Sequence, residues 1–524
     1  MRSVNRSMVL LALMLTAYIV TVEVTIMNVA LPTLGRDLDA NTTELQWVVD
    51  AYNLALGALL LAAGCLSDRH GRKGALLVGM AILISASLVG GYVDSVAGVL
   101  AARGVMGLGA ALMLPTTLSI LANVFTGRKE RAQAIGLWGA STGLGVATGP
   151  IVGGWLLGRY WWGSIFVFLG ILTIAIAILV VLFVPTSRNP ATAPLDWRGL
   201  ILSILGFGIL VLGIIEAPRW GWGSALTIGC LSAGLVTLLV FLALERRTIH
   251  PMLDVSLFRD MRYTAASGSV AISFFALNGF IFLITQYMQL VKDWSPLSMG
   301  LRLLPMAGAI GVASILGAWL AVKIGNKVVV TSGLVFFAAG LAWAATNTAT
   351  TSYEFMSANI ALLGVGFGLT STPATEAIMG SVSKDIAGVG AAVNDATRLC
   401  GATLGVAVVG SMAASLYDNK MASTLPPELA GSAAHASSGS LGGALSTAQD
   451  LAGKGDARAA DELSHTAVEA FLHSMQGGSL LAAGTVLLAA LGALLFLPAR
   501  PKDDLAEAEG PASTPVEPPG GRHL

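Results

Sequence analysis

The chain has 524 residues, of which 55% are hydrophobic and only 11% are charged, and its formal net charge at pH 7 is zero. A soluble globular domain carries about 25% charged residues, so the composition excludes that class and indicates a membrane protein. The zero net charge gives no overall basic field, and we therefore expect no nucleic-acid partner.

The N-terminal stretch, MRSVNRSMVLLALMLTAYIVTVEVTIMNVALP, predicts an uncleaved first membrane span. Its apolar run is too long for a signal peptide, and no small-residue cleavage site precedes Glu23. A charge at the centre of a membrane helix costs roughly 2.5–3.5 kcal/mol on insertion scales. We interpret Glu23 as a functional residue for that reason.

Windows of about 20 apolar residues, enough to cross a hydrocarbon core, predict fourteen spans along the chain. The runs are continuous and not alternating, which predicts an all-α polytopic protein and excludes a β-barrel. The spans lie at 7–33, 45–66, 74–93, 96–124, 133–157, 163–185, 199–216, 224–244, 264–291, 298–322, 327–346, 353–378, 386–416 and 477–497.

Basic residues are concentrated in the loops on one side of these spans. Loops such as SDRHGRK and TGRKER carry several, whereas opposite loops such as GRDLDANTTE and VKDW carry at most one each. Cytoplasmic loops are the ones enriched in Lys and Arg, so both termini are predicted to be cytoplasmic.

The stretch 417–475 is rich in Ala, Ser and Gly and is expected outside the membrane, between the last two spans. It is interpreted either as a partly ordered loop or as amphipathic helices lying on the outer surface. The Pro- and Gly-rich tail, 501–524, is expected to be disordered.

The loop GCLSDRHGRK, at 64–73, has a degraded repeat, AWLAVKIGNK, at 318–327. Such repeated halves are typical of secondary transporters. In the first copy, the glycine at 71 allows a tight turn and the acid at 68 can cap a helix N-terminus, while the basic residues anchor the cytoplasmic face. The alternative is a plain positive-inside anchor. The residues of this conformational motif are Gly64, Asp68, Arg69, Gly71, Arg72 and Lys73.

A second glycine motif lies in GLGVATGPIVGGW, at 143–155. Its small residues predict close helix contact, and with the proline they indicate a kinked, tightly packed span that limits leak. The motif residues are Gly145, Gly149, Pro150, Gly153 and Gly154.

These motifs resemble those of the major facilitator superfamily. The signature loop at 64–73, RGVMGLGAALMLP with its lone Arg103, the glycine motif at 143–155 and VEVTIMNVALP carry the likeness. With fourteen spans, the chain is similar to the fourteen-helix drug:proton antiporter family of QacA/EmrB-type multidrug exporters. Two departures are Glu23, where that family has Asp, and Arg302, where pumps of divalent cations carry an acid.

The resemblance implies the major facilitator fold, with two six-helix halves at 1–190 and 248–500, two additional central helices at 191–247 and a tail at 501–524. It also implies that the loop at 64–73 is a conformational latch, which breaks and reforms between inward-open and outward-open states.

Five intramembrane charges are the candidate proton- and substrate-coupling residues: Glu23, Asp50, Arg103, Asp395 and Arg398. A helical rise of about 1.5 Å per residue places the first two acids at similar height, and four of the five are expected to line one aqueous cavity. A low-dielectric cavity favours the protonated form of a carboxyl group, so these acids suit proton exchange. The alternatives are an exposed or loop Glu23, an interfacial Asp50, an Asp395 merely neutralised by Arg398, and an Arg103 that serves backbone carbonyls.

The expected function is proton-coupled export of amphipathic, cationic drugs or antibiotics across the cell membrane. We expect a monomer whose partners are the drug substrates, protons and the lipid bilayer. The proton gradient is the energy source, with no cofactor, and the three cysteines and six histidines indicate no metal site. A dedicated exporter of one metabolite or self-made antibiotic is the alternative. A membrane enzyme or sensor is the least favoured class, because the sequence has no nucleotide loop or nucleophile motif.

Overall fold

A computed structural model describes residues 5–188, 195–249, 251–382, 387–425 and 440–498. The regular secondary structure in these ranges consists of α, 3₁₀ and π helices, and the described residues contain no strand. The expected disordered tail and residues 426–439 of the predicted outer segment lie outside the described residues.

Sixteen α-helices make up the described chain, together with a 3₁₀ helix at Val255–Arg259 and a π turn at Tyr287–Val291 that continues the ninth helix. They are α1 (Arg6–Asp37), α2 (Thr42–His70), α3 (Arg72–Gly90), α4 (Val96–Val124), α5 (Arg128–Leu157), α6 (Ser164–Phe183), α7 (Trp197–Trp220), α8 (Ala225–Glu245), α9 (Met261–Gln286), α10 (Pro296–Arg302), α11 (Leu304–Ile324), α12 (Asn326–Ala344), α13 (Tyr353–Gly380), α14 (Ala387–Thr424), α15 (Leu441–Gly453) and α16 (Ala457–Phe496).

The described chain contains 13 helices long and apolar enough to cross a membrane, with α10 and α11 together forming one of them. Helix α2 is bent by 54° between Leu60 and Ala62 and makes a fourteenth span when its two parts are counted together. On that count the fourteen predicted spans are confirmed.

The helix that ends the fold is much longer than predicted. Helix α16 begins at Ala457 and not near 477, because Asp456 caps it by accepting a hydrogen bond from the Ala459 amide at 3.1 Å. Helix α14 likewise runs on to Thr424. The described part of 417–475 is largely helical, which favours the helical interpretation of this stretch over the partly ordered loop.

The helices pack as two groups with an additional pair. Helices α1–α6 contact one another, and so do α9, α11–α14 and α16, whereas α7 packs against α8. Helix α7 also contacts α2 and α14. The additional pair therefore lies beside the junction of the two groups.

The sequence repeat corresponds to equivalent turns in the two groups. Gly71 ends α2 with a φ of 126°, and Gly325 ends α11 with a φ of 89°. Each amide donates to the carbonyl four residues earlier, Ser67 or Ala321, at 3.0 Å. Positive φ of this kind is inexpensive only for glycine, which explains why glycine occurs in both copies.

Helix α5 contacts the second group at one of its ends only. A Cβ added to Gly154 would lie 2.4 Å from the Leu297 Cα, at the start of α10. Gly136 is on the same face, five turns of about 3.6 residues earlier, and a Cβ there, or at Gly143, would meet nothing within 4 Å. The groups are thus in contact at the end of α5 and apart at its beginning.

These two ends can be identified by their residues. A salt bridge of 3.0 Å between Arg6 and Glu130 joins the start of α1 to the start of α5, so the open side is called the Arg6 end. At the opposite, Gly154 end, Gln289 Nε2 donates to the Val29 carbonyl at 2.9 Å and links α9 to α1.

Candidate functional site

The site is built around Glu23, which α1 places in the interior with no exposed surface. Its Oε1 lies 3.2 Å from Arg103 Nη1 of α4, and the arginine side chain is also buried. An unpaired charge in such a place is very costly. The lone acid and the lone base of two distant predicted spans therefore form one ion pair.

Arg103 is held by α2 as well as by α1. Its Nε donates to the Val48 carbonyl at 2.9 Å, and its guanidinium carbon lies 4.5 Å from the centre of the Tyr52 ring. The guanidinium thus connects three helices through a charge, a hydrogen bond and a cation–π contact. The prediction that Arg103 serves backbone carbonyls describes the hydrogen bond to Val48, and the ion pair with Glu23 and the contact with the Tyr52 ring are additional.

The pair leaves one oxygen available. Glu23 Oε2 is buried and makes no well-formed hydrogen bond with the described residues. The Tyr52 side chain lies close enough to interact with this carboxyl group. A buried carboxylate with one oxygen that lacks a well-formed hydrogen bond, beside a fixed cation, can take up a proton or exchange its partner.

Asp50 is buried, as Glu23 is, but it lies on the side of α2 away from Tyr52 and Arg103. Both of its oxygens lack a well-formed hydrogen bond with the described residues, and its polar neighbour is Asn53, one turn later. One turn earlier, Gln46 Nε2 donates to the Val406 and Ala407 carbonyls of α14, both at 3.0 Å. This face of α2 is therefore turned towards α14, away from the arginine.

Asp395 and Arg398 form a second pair on α14. The two side chains lie 3.5 Å apart, 29% and 30% exposed, as expected for residues one turn apart on a helix. Arg398 also donates to Thr375 Oγ1 of α13 at 2.8 Å and lies against the Phe274 ring of α9. The contacts thus join Glu23 to Arg103 and Asp395 to Arg398, while Asp50 has Asn53 as its polar neighbour. That four of the five charges line one cavity stays a prediction.

The glycine motif of α5 packs against α1 and α10. A Cβ on Gly149 would lie 2.0 Å from Thr25 Oγ1, and one on Gly153 would lie 2.6 Å from Ile26. A Cβ on Gly145 would lie 2.9 Å from the Thr21 side chain. The predicted close helix contact is confirmed. Besides Gly154, the motif reaches α10 through Pro150, whose carbonyl would be 2.6 Å from a Cβ on Gly300.

The loop at 64–73 is tied to the N-terminal group. Arg72 Nε donates to Asp68 Oδ1 at 2.6 Å, and Lys73 Nζ donates to the Val181 carbonyl at 2.8 Å. The expected helix cap by Asp68 is wrong, because the N-cap of α3 is Gly71 and Asp68 pairs with Arg72. Arg69 is exposed. The sixth motif residue, Gly64, lies next to Pro115 of α4.

Sequence reasoning missed Tyr52 and Gln46. Both belong to LQWVVDAYNL. The available signal was that each is polar and close to Asp50 in the sequence, Gln46 one helical turn before it and Tyr52 two residues after it. Their partners lie on other helices, so spacing alone gave no role. Among the described residues, no group of three or more His, Cys, Asp or Glu side chains is arranged to hold a metal ion.

The comparisons with known proteins agree on one family. Residues 13–406 match the family model described as Major Facilitator Superfamily. The multidrug resistance protein Stp of Mycobacterium tuberculosis is 34% identical over 80% of this chain and 77% of its own. The tetracenomycin C resistance and export protein of Streptomyces glaucescens is 31% identical over 96% of this chain and 93% of its own.

The fold is similar to that of a transporter whose structure has been solved. The crystal structure of a bacterial homolog of the human lysosomal transporter Spinster, in an inward-facing and unoccupied conformation, matches with a TM-score of 0.65. The match covers 94% of this chain and 98% of the other at 17% identity, so it bears on the fold alone.

Proposed function

The chain belongs to the major facilitator superfamily, and from that premise we propose that it is a proton-coupled antiporter that exports drugs or antibiotics from the cell. Members of this family are transporters, so the chain is a multi-pass membrane transporter and not an enzyme. No resident cofactor is needed for the proposed activity, which draws on the proton gradient.

The observation that carries the proposal is the buried Glu23–Arg103 pair, whose second carboxyl oxygen makes no well-formed hydrogen bond with the described residues. Protonation of Glu23 removes its charge and weakens its attraction to Arg103. Because Arg103 also holds Val48 and Tyr52 of α2, this change alters how α1, α2 and α4 are held together. A cationic drug competes with the proton for the same carboxyl group, so that binding of one favours release of the other.

The open side of the molecule supports a direction for this exchange. The Arg6 end carries the start of α1, which the distribution of Lys and Arg assigns to the cytoplasm. We propose that the structure is an inward-facing state, ready to take substrate from the cytoplasm. Asp50 and the Asp395–Arg398 pair are proposed as further proton- or substrate-coupling groups of the same cycle.

The proposals for location, topology, oligomeric state and domain limits rest on the sequence. We propose that the protein lies in the plasma or inner membrane as a monomer, with both termini cytoplasmic, and that the loop at 64–73 switches the conformation. The domain limits at 190, 247 and 500 are proposed on the same basis.

The alternative function is export of one self-made antibiotic or other native metabolite. The name of the Streptomyces glaucescens relative favours it, since that protein both exports and confers resistance to tetracenomycin C. A panel of cationic dyes and neutral antibiotics, tested in a host that lacks its own pumps, separates the two. Export of a single compound from the panel supports the dedicated exporter.

Proton coupling is tested with cells loaded with ethidium. Efflux should stop when a protonophore collapses the gradient while ATP is still present. Efflux that continues under those conditions contradicts the proposal. Cells of the same host without the protein are the control for background leak.

A further inference from the structure

A cavity of about 520 Å³ lies beside the additional helix pair. Its walls are α2, α7, α8, the segment 252–258, α9, α14 and α16. Among the described residues, none of α1 or α4 lines it, so it is distinct from the Glu23–Arg103 pair. Ligand pockets in proteins occupy about 300–1,000 Å³, and this volume suits one drug-sized molecule.

The lining selects against charge. It is formed by aromatic and aliphatic side chains such as Phe207, Phe241 and Phe275, and no charged residue is among the described residues that line it. Transfer of an unpaired ion into such surroundings is very costly. The volume and the lining together fit an uncharged, lipophilic molecule.

Among the described residues, four hydroxyl or amide side chains reach the cavity, and three of them already have hydrogen-bond partners. The Ser203, Thr397 and Thr485 hydroxyls donate to carbonyls of their own helices at 2.9, 2.7 and 2.8 Å. The fourth is Asn53, which is 2% exposed and whose Nδ2 makes no well-formed hydrogen bond with the described residues.

The Asn53 amide lies near the Asp50 carboxyl group without a well-formed hydrogen bond to it, and buried polar groups normally find a good partner. A ligand with a carbonyl or ether oxygen at the α2 wall supplies the missing acceptor. Asp50, one turn away, is not among the lining residues, so Asn53 separates that carboxyl group from the cavity.

We propose that this cavity is a binding site for an uncharged, lipophilic small molecule whose hydrogen-bond acceptor is bound by Asn53. The additional helices α7 and α8 then serve as one wall of a ligand site. That the ligand is also exported rests on the proposed function, whereas its binding does not.

Cys400 offers a direct test, because its side chain lines the cavity while Cys65 and Cys230 do not. The chain has three cysteines, so Cys65→Ala and Cys230→Ala leave Cys400 alone. The purified protein is labelled with N-ethylmaleimide in detergent, with no proton gradient, and the labelled fraction is followed by mass spectrometry. Nile red, an uncharged dye with a carbonyl acceptor, is the probe, and the cation ethidium is the comparison.

Nile red at ten times its dissociation constant should slow Cys400 labelling about tenfold, because only the unoccupied fraction reacts. Ethidium should give no such protection. Ser203→Phe fills the cavity from α7 and should abolish protection, whereas Leu205→Phe, at a 49% exposed position of the same helix, should retain it. Asn53→Leu should weaken Nile red binding about three- to tenfold, the loss of one hydrogen bond.

Absence of protection by Nile red in the parent protein overturns the proposal, and so does equal protection by ethidium. Protection that survives Ser203→Phe overturns it as well. If Ser203→Phe fails to fold, as judged by size-exclusion chromatography, an unchanged Nile red affinity in Asn53→Leu has the same force. Gradient-driven ethidium efflux without Nile red protection refutes the proposed ligand site but not the proposed export. Nile red protection without gradient-driven efflux refutes the proposed export but not the ligand site.

Discussion

Arg103 Nη1 lies 3.2 Å from Glu23 Oε1, and both side chains are removed from solvent. Removing one partner of a buried ion pair costs about 3–5 kcal/mol, because it leaves the other charge uncompensated. Any variant of Glu23 therefore has two effects, one on proton exchange and one on stability, and an experiment has to separate them.

Glu23→Gln should nearly eliminate active efflux and drug-induced proton release, because the amide keeps the shape of the side chain but does not titrate. Glu23→Asp keeps the carboxyl group and should retain much of the activity. The measurement is proton release by purified protein on addition of ethidium. As many protons from Glu23→Gln as from the parent, together with equal resistance in cells, would show that Glu23 is structural.

The matched control adds Arg103→Gln to Glu23→Gln. The double variant has no unpaired buried charge, so its thermal stability should recover most of the loss seen in Glu23→Gln alone. Its transport should remain absent. Restored transport in the double variant refutes a role for Glu23 in proton exchange.

Gly154→Ala should open the contact between α5 and α10. The added methyl carbon would lie 2.4 Å from the Leu297 Cα and 2.5 Å from the Pro296 carbonyl, so the two helices have to separate at the Gly154 end. We expect faster labelling of an introduced Val29→Cys thiol by an impermeant maleimide added outside, and slower efflux.

Gly143→Ala is the control on the same face of α5, where an added methyl carbon meets nothing within 4 Å. It should leave labelling and efflux unchanged and raise helix stability by up to about 1 kcal/mol. The same labelling rate in both variants contradicts the assignment of the closed end.

Asp68→Asn should slow turnover and leave substrate affinity unchanged, because the loop lies apart from Glu23. Its hydrogen bond with Arg72 is 2.6 Å long, and such charge-assisted bonds are worth about 1.5–3 kcal/mol, so turnover should fall roughly tenfold or more. Arg6→Gln, which breaks the half-exposed pair with Glu130, is the control and should have little effect. Full turnover by Asp68→Asn removes the latch proposal.

Asp395→Asn should reduce efflux with little loss of stability. The pair with Arg398 is about one-third exposed, and such ion pairs contribute about 0–1 kcal/mol. Thermal unfolding and drug-induced proton release, measured on the same preparation, check both parts. Recovery of transport when Arg398→Gln is added would show that Asp395 only balances charge.

The sequence predicts the individual charges of this site better than their arrangement. Glu23 and Arg103 stand out as single charges in apolar runs, but they are 80 residues apart, and spacing cannot bring them together. Asp50 and Tyr52 are two residues apart on one helix and therefore face different sides. Which side meets Arg103 and which meets α14 depends on helix packing, which hydropathy does not encode.

The start of α16 was missed for a related reason. Residues 457–475 are too polar for a membrane window, yet their alanines favour a helix and Asp456 provides the cap. Hydropathy predicts where a chain can enter lipid, and helix propensity predicts where it stays helical. The two limits differ here by about 20 residues, close to the whole length of a membrane span.

Helix α16 has 40 residues and, at about 1.5 Å per residue, is about 60 Å long. A hydrocarbon core is about 30 Å thick, so about half of the helix projects beyond it as a lever arm. A tilt of about 10° in the embedded half displaces the tip of this arm by about 5 Å, since the rod is continuous. A spin label or fluorophore near Ala457 therefore reports the movement of the last span from outside the bilayer, where it disturbs neither the ion pair nor the cavity.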